Sequence, residues 1–457
     1  MGDRKFLRTM LSCVLTLGFM NALAAAPSAA ATGSTAKPCA LPSSGGFESA
    51  SPAQEALDPA AVRKAVAYAA THLRLSVQVF RNNCRVGTGP LDPITEEVPW
   101  NVWSSTKSVV SMLTGIAIGQ GRLGLDDPIG KHLPTGAGWG DAAHRAITVR
   151  QLLDESSGLK QSIFAETATA GTDENVAQEA LAQPLTHRPG TRFAYGQRDP
   201  DLLAYVVQRA VGEDLQEFAQ RNLFAPIGIP RSSYFWLRDR AGNTYGYAFL
   251  FIPPLQYAKL GLLMQNDGAW NGHQVVPADY VHHAGKPSST NGCYGFLFWT
   301  NAGTPCASGP EVTTRTMLPS APRDTYLMIG AFHQNNFVIP SLKMTVSWTG
   351  FLGDTTPDIG GLTSGSPNVS DLYYTFFRIL MRGVRDKQVP DPGPYTLPST
   401  TFDPDGANDL DPSVLLTDAL PNSTCNLLFC DGTIPQRGAA LNAESVIRTV
   451  LTLARRQ

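Results

Sequence analysis

The sequence predicts a mixed α/β (α+β) fold, in which one sheet is covered by helices from the two ends of a single domain and interrupted by an inserted helical region. Three observations carry this expectation. Helical patterns stand near residue 65 and again near residue 378. Strand-like runs cluster just after the first and just before the second. Between about residues 121 and 240 the pattern is mainly helical, punctuated by Gly and Pro. Helices at both ends with strands between them can bury their apolar faces by packing on a shared sheet.

In chain order, residues 27–55 are rich in Ala, Ser, Pro and Gly and read as a flexible leader. Asp58 can cap a helix that runs to about His72, Pro59 suits its first turn, and apolar residues then recur at helical spacing. Leu73–Phe80 alternates as a strand does. Ser104–Gln120 forms a helix whose run Val-Val-Ser-Met-Leu-Thr-Gly-Ile-Ala-Ile predicts burial on most sides, and Gly121 stops it. Gln256–Met264 is another apolar helix. Cys293–Thr300, Tyr326–Ile329 and Phe337–Trp348 read as strands, and Leu372–Arg385 as a helix. These elements define a domain over residues 56–385, with its helical insertion at about 121–240. Residues 386–457 form a loop-rich extension, Pro-, Asp- and Thr-rich from Pro390 to Pro421, with a last helix near Ala443–Arg455.

The start of the chain addresses its compartment. Arg4, Lys5 and Arg8 precede an apolar run from Met10 to about Ala26 that ends in small residues, including Ala22-Leu23-Ala24. Residues 1–26 therefore read as a secretory signal peptide. The run is shorter than the roughly 20 apolar residues that span a bilayer, and no other stretch is long enough, so no stable membrane insertion is expected after its removal. Seven cysteines are present, and Cys13 would leave with the signal. The other six suit an oxidising compartment, secreted or periplasmic. Fifteen pairings are possible. Proximity favours Cys293–Cys306 and Cys425–Cys430, which leaves Cys39 for Cys84. No Cys-x-x-Cys or His-x-x-x-His spacing recommends a metal site, and no cofactor is implied. A formal net charge of −2 gives no basic field for a nucleic acid partner.

Ser104-Ser105-Thr106-Lys107 is the first arrangement that carries chemistry. Residues i and i+3 share a helix face, so the hydroxyl and the amine are neighbours. A serine needs a base to remove its proton, and a lysine serves if burial keeps it neutral. The apolar run after Lys107 predicts that burial. Ser104 also stands at a helix start, where unpaired backbone N–H groups favour an oxyanion. Ser157-Gly158-Leu159-Lys160 matches the same spacing but lies in a Ser/Gly loop with no apolar helix behind it, so it reads as a chance match. No Gly-x-Ser-x-Gly elbow exists, which argues against an α/β-hydrolase.

Further stretches follow Ser104 in a fixed order. They are Gly121-Arg122-Leu123-Gly124-Leu125-Asp126-Asp127-Pro128-Ile129, then Thr148-Val149-Arg150-Gln151-Leu152-Leu153, Ser156-Ser157-Gly158-Leu159, and Pro189-Gly190-Thr191-Arg192-Phe193-Ala194-Tyr195-Gly196-Gln197. Later come Tyr257-Ala258-Lys259-Leu260-Gly261, Gly268-Ala269-Trp270-Asn271-Gly272 and Tyr294-Gly295-Phe296. The series resembles the β-lactamase-like serine hydrolases: class C β-lactamases, D-alanyl-D-alanine carboxypeptidases, family VIII carboxylesterases and 6-aminohexanoate-dimer hydrolases. The resemblance covers roughly residues 60–385. It implies an antiparallel sheet flanked by the terminal helices, with the helical subdomain inserted, as in the β-lactamase/transpeptidase fold. It also implies Ser104 as nucleophile, Lys107 as its base and Tyr195 as the shuttle that protonates the leaving group.

The chain departs from that pattern in three places. Gln197 stands where the family usually has Asn, keeping an amide on a longer arm. Glu155 stands where many relatives have His, and no role is assigned to it. The third family motif, Lys-Thr-Gly or His-x-Gly, aligns with Met328-Ile329-Gly330, so the cation that binds a substrate carboxylate is missing. The backbone N–H groups of Ala331 and Ser104 would still form an oxyanion hole. His333 either replaces the lost cation in part or is a loop histidine without a catalytic role.

Losing that cation removes a charge-assisted hydrogen bond worth about 1.5–3 kcal/mol. The function expected is therefore a secreted serine hydrolase that cleaves a neutral ester or small linear amide, a small-molecule substrate, through an acyl-enzyme on Ser104. The alternatives are a β-lactamase or D-alanyl-D-alanine carboxypeptidase activity, and a non-catalytic receptor that is acylated without turnover.

Overall fold

Seven antiparallel strands make the central sheet: β1 (Arg74–Arg81), β2 (Cys84–Thr88), β3 (Tyr294–Gly295), β4 (Phe298–Thr300), β5 (Tyr326–Gly330), β6 (Gln334–Ile339) and β7 (Met344–Gly350). Their order is β2-β1-β7-β6-β5-β4-β3. The strand that opens the domain thus lies beside the one that closes it, with Val77 opposite Trp348. The computed structural model describes residues 37–309, 311–351 and 369–403.

Side chains alternate across the sheet, and each face has its own helices. Helices α1 (Pro59–Thr71) and α5 (Asp371–Met381) cover one face. The Asp58 side chain caps α1 by accepting from the Ala60 N–H at 2.8 Å. On this face Phe337 and Trp348 meet Phe377 and Phe376 of α5, with ring centroids 4.7 and 4.9 Å apart. The opposite face carries α2 (Ser105–Gly119) and α4 (Pro254–Gln265). There the Asn336 amide donates to the Tyr257 carbonyl of α4 at 2.9 Å. A methyl group on Gly261 of α4 would come within 2.9 Å of Thr345, so helix and sheet are in close contact. The antiparallel sheet covered by the N- and C-terminal helices agrees with the expected fold.

Two of the expected strands are each a pair. Within 293–300 the chain folds back as the β3–β4 hairpin, because Phe296 and Leu297 have left-handed φ angles of 50° and 59°. Two such residues make the tight turn whose twist suits a hairpin. Within 337–348, Pro340 has no N–H for a ladder and Lys343 turns at φ 46°, so β6 ends and β7 begins.

After α2 the chain enters the inserted region at Gly121, which has φ 68°. Short helices Val149–Leu153, Val176–Ala182 and Leu215–Ala219 surround a longer one, α3 (Arg198–Val211). The stretch read as a leader is, from Cys39 onward, fastened to the sheet. Cys39 is bonded to Cys84, and Arg85 of β2 exchanges backbone hydrogen bonds with Glu48 and Ala50. A covalent tether and a buried Phe47 explain why its loop-like composition does not leave it loose. Cys293 is bonded to Cys306, as proximity favours. The signal segment, the Cys425–Cys430 pair and the helix expected near Ala443 lie outside the described residues. The first part of the extension runs along the body, where Asp391 pairs with Arg378 at 2.6 Å and Thr400–Phe402 adds to Glu311–Thr313 as an edge strand. Among the described residues no helix is long and apolar enough to cross a membrane.

Candidate active site

Ser104 stands at the mouth of α2 because the chain turns sharply just before it. A short strand, Trp100–Asn101, pairs with Leu250–Ile252, and Val102 N–H then donates to Leu250 at 3.1 Å. Trp103 follows at φ 48°, a left-handed conformation that costs a non-glycine residue about 1–3 kcal/mol. Its N–H is held by the Asn101 side chain at 2.9 Å, and its carbonyl accepts from Thr106 at 2.9 Å. Ser104 itself is helical, with φ −64°, and is 8% exposed.

Hydroxyls fasten the apolar helix around it. Ser105 donates to the Gln334 carbonyl at 3.0 Å and accepts from the Tyr257 hydroxyl at 2.7 Å. Ser108 donates to the Leu297 carbonyl at 2.7 Å, in the β3–β4 turn. The first turn of α2 is thereby fixed against β6, α4 and the far edge of the sheet.

Lys107 lies one turn along the helix from Ser104 and is fully buried. Its Nζ donates to the Gly196 carbonyl at 2.5 Å and stands 3.7 Å from the centre of the Tyr195 ring. Ser104 and Lys107 both act electrostatically on the Tyr195 phenol. Burial raises the Tyr195 phenol above its ordinary value, with the Lys107 charge opposing. Around Tyr195 the rings of Phe193, Tyr294 and Trp299 close a cage, with Tyr294 and Trp299 centroids 5.9 and 5.5 Å from its own. The structure thus brings Ser104, Lys107 and Tyr195 together.

It adds Glu155, to which the sequence reading gave no role. Glu155 Oε1 is 3.3 Å from Lys107 Nζ, and neither side chain reaches solvent beyond 1%. Burial pushes the Glu155 carboxyl up to about 8 against the pull of Lys107. Burial alone would lower Lys107, but the Glu155 charge and Tyr195 hold it above its ordinary value. Burial, which favours the neutral amine, is thus opposed at this lysine by the ionised form of Glu155 and by Tyr195. The sole signal in the sequence was the departure from His at this position, and nothing local tied Glu155 to Lys107. The tie is long-range, since the Glu155 carbonyl accepts from Ala194 N–H at 2.9 Å beside Tyr195.

The five residues taken from the third motif separate. A methyl group on Gly330 would come within 2.1 Å of the Val102 carbonyl oxygen, so the end of β5 touches the turn that presents Ser104. Ala331 follows it, its carbonyl accepting from the Gln334 side chain at 3.2 Å. Met328 lies on the same face as Gly330 but is fully enclosed, its sulfur 3.5 Å from the Asn336 amide nitrogen. Ile329, by strand alternation, points to the other face. His333 is also turned away. Phe332 and His333 have φ of 59° and 60°, and His333 Nδ1 sits 2.9 Å from the Tyr373 hydroxyl of α5. His333 therefore packs with the terminal helix and does not replace the missing cation beside Ser104.

The second Ser-x-x-Lys serves the fold. Ser157 donates to the buried Asp199 of α3 at 2.5 Å and accepts from the Leu159 N–H of its own loop at 3.1 Å.

The sequence profile of the family named Beta-lactamase matches residues 65–301, just over half of the 457-residue chain. The chain belongs to the beta-lactamase family. Protein flp of Staphylococcus aureus strain N315 is 27% identical over 142 residues, 30% of this chain and 28% of that protein. Monacolin J acid methylbutanoyltransferase of Aspergillus terreus is 28% identical over 172 residues, 33% of this chain and 40% of that protein. The chain therefore spans well under two thirds of the length of these curated relatives. Among solved structures, a candidate 6-aminohexanoate-dimer hydrolase of Bacillus anthracis superposes with a TM-score of 0.55 at 15% identity, covering 72% of this chain and 88% of that one. This likeness is one of fold.

In this beta-lactamase family member Gln197 opens α3 directly after the Tyr195 loop. Its N–H donates to Glu166 at 2.8 Å and its side-chain nitrogen to Thr167 at 3.4 Å. Its side-chain oxygen is buried without a hydrogen-bond partner in the protein. Among the described residues no His, Cys, Asp and Glu group could hold a metal ion.

Proposed function

We propose that the protein is an exported serine hydrolase that cleaves a neutral ester or small linear amide through an acyl-enzyme on Ser104. The observation that carries this reading is the buried Lys107 amine, one helical turn from Ser104 and 3.7 Å from the centre of the Tyr195 ring, inside an aromatic cage. The Ser104 oxygen attacks the carbonyl carbon while its proton passes to the neutral, deprotonated form of the Lys107 amine, directly or through Tyr195. The N–H groups of Ser104 and Ala331 receive the oxyanion, Tyr195 returns the proton to the leaving group, and water reverses the sequence.

Two features support a neutral, apolar substrate. No cation stands in the third-motif position, where Met328 is found. Trp103 next to the nucleophile meets Phe249 and Phe332 with centroids 5.8 and 5.6 Å apart, giving an aromatic rim beside Ser104. Export is supported by the basic-then-apolar N-terminus and by the two disulfides.

A second reading, acyl transfer to an alcohol in place of water, is favoured by the relative named as a methylbutanoyltransferase. It uses the same acyl-enzyme with another acceptor. The test is a panel of p-nitrophenyl esters, nitrocefin and aminohexanoate oligomers, with and without added alcohols. Repeated turnover of a neutral ester, abolished in Ser104→Ala, supports the hydrolase. One equivalent of release and then silence means a receptor. Preference for nitrocefin means a β-lactamase, and alcohol-dependent ester formation means a transferase.

A further inference from the structure

Glu155 stands against the base of the proposed reaction yet takes no part in its usual steps. Its Oε1 is 3.3 Å from Lys107 Nζ, with side-chain exposures of 0% and 1%. Opposite charges this close, shielded from water, attract far more than a surface pair does. Removing one partner of such a pair leaves the other uncompensated. We propose that Glu155 fixes Lys107 in its ammonium form and so sets the pH above which Ser104 becomes a nucleophile. The inference rests on the serine hydrolase reading above.

The surroundings leave Lys107 as the cation that Glu155 has to itself. Arg198, the other buried cation nearby, is engaged by Glu166 at 3.6 Å and Glu179 at 3.2 Å. The remaining charged or titratable groups facing Glu155 are Asp199 of α3, Glu166 of the helix Ile163–Ala168, and the phenols Tyr195 and Tyr294. Asp199 and Glu166 are like charges and do not compete for the carboxylate. Glu155 also holds a strained backbone, with φ 46°, kept in place by Glu155 N–H to Leu152 at 3.2 Å and Ala194 N–H to its carbonyl. Such strain persists where the surroundings over-determine a position.

The sign follows from the charges. A buried lysine alone sheds its proton readily, whereas beside Glu155 it is held above its ordinary value. An ammonium has no lone pair for the Ser104 proton. Raising the pH takes the proton of the Glu155 carboxyl first, which strengthens its hold on the ammonium, and only at higher pH does Lys107 release its own proton to solvent and present a free amine. The amine then takes the Ser104 proton as the oxygen–carbon bond forms, and that proton later leaves with the departing alcohol or amine.

The experiment follows phosphonylation of Ser104 by a fluorophosphonate, by intact mass, across a pH series. It compares wild type with Glu155→Gln, and thermal melts report folding. In the Gln variant the acid limb should move down by about one pH unit or more, so labelling one pH unit below the wild-type midpoint rises about fivefold. An acid limb at the wild-type pH, or uniformly slower labelling at every pH in a folded variant, overturns the proposal. If the Gln variant does not fold, Glu155→Asp, with its carboxylate farther from Lys107, should move the limb part-way down, and a limb coincident with wild type overturns it. Wild-type Ser104 that is never labelled sinks the hydrolase reading itself. A labelled wild type with an unmoved variant sinks the Glu155 inference alone.

Discussion

Gly330 lies so close to Val102 that a methyl group on it would come within 2.1 Å of the Val102 carbonyl oxygen. The contact is backbone to backbone, so neither side can swing away. It joins the end of β5 to the turn that presents Ser104. Gly330→Ala must push the two apart. We expect kcat/KM for a neutral ester to fall at least about tenfold, with a stability loss of about 1–3 kcal/mol from overpacking. Steady-state kinetics and a thermal melt check both, and an Ala variant with wild-type kinetics would show that the strand end does not shape the site.

The two Ser-x-x-Lys copies should separate cleanly on substitution. Ser104→Ala removes the attacking oxygen and leaves the helix contacts of Ser105 and Ser108 intact, so turnover should vanish with little change in melting temperature. Ser157→Ala removes a buried hydroxyl that donates to Asp199, and should lower stability by about 1–3 kcal/mol while the folded protein keeps its turnover. An active Ser104→Ala protein would move the nucleophile elsewhere.

Much of this was legible because local pattern and long-range structure agree. The α2 helix announces its own burial through an unbroken apolar run, and Asp58-Pro59 announces the start of α1. Tyr195 was legible only through its ordered neighbours, since one tyrosine in a loop carries no local signal. The β3–β4 turn was missed because Phe296 and Leu297 adopt left-handed angles that usually call for Asn or Gly. His333 was left open between two readings, and two successive left-handed residues turn it toward Tyr373. Glu155 lies 48 positions from Lys107 in the sequence. Its carboxyl meets the amine because the loop after Leu153 packs against α2, which no spacing rule records.

Trp103 should govern preference for the acyl chain. Its ring is half-buried and meets Phe249 and Phe332, and it adjoins Ser104 in sequence. Trp103→Ala removes one wall of the rim. Apolar contact of that size contributes about 1.5–3 kcal/mol, so the ratio of kcat/KM for p-nitrophenyl octanoate over acetate should fall by about tenfold or more. An unchanged ratio would mean that the acyl chain leaves the site by another side.

Met328 tests the specificity argument, and the structure reverses part of what its position in the sequence implies. Met328-Ile329-Gly330 aligns with the motif that supplies a carboxylate-binding cation, so Met328→Lys would be expected to improve binding of a carboxylated ester. The side chain, however, is fully enclosed between the sheet and α4, with its sulfur against the Asn336 amide nitrogen. A lysine there must either bury an ammonium with no carboxylate beside it or displace Asn336, which donates to the Tyr257 carbonyl of α4. Tyr257 in turn donates to Ser105, next to the nucleophile. The cost of an unpaired buried charge is several kcal/mol, more than one new hydrogen bond to a carboxylate returns. We therefore expect Met328→Lys to melt at a lower temperature and to lose activity toward neutral and carboxylated esters alike. Met328→Leu, apolar and of similar volume, should keep both. The measurement is kcat/KM for one matched pair of esters, neutral and carboxylated, in the three proteins, alongside their melts. A Lys variant that stays folded and gains on the carboxylated member alone would show that this side chain does reach the substrate.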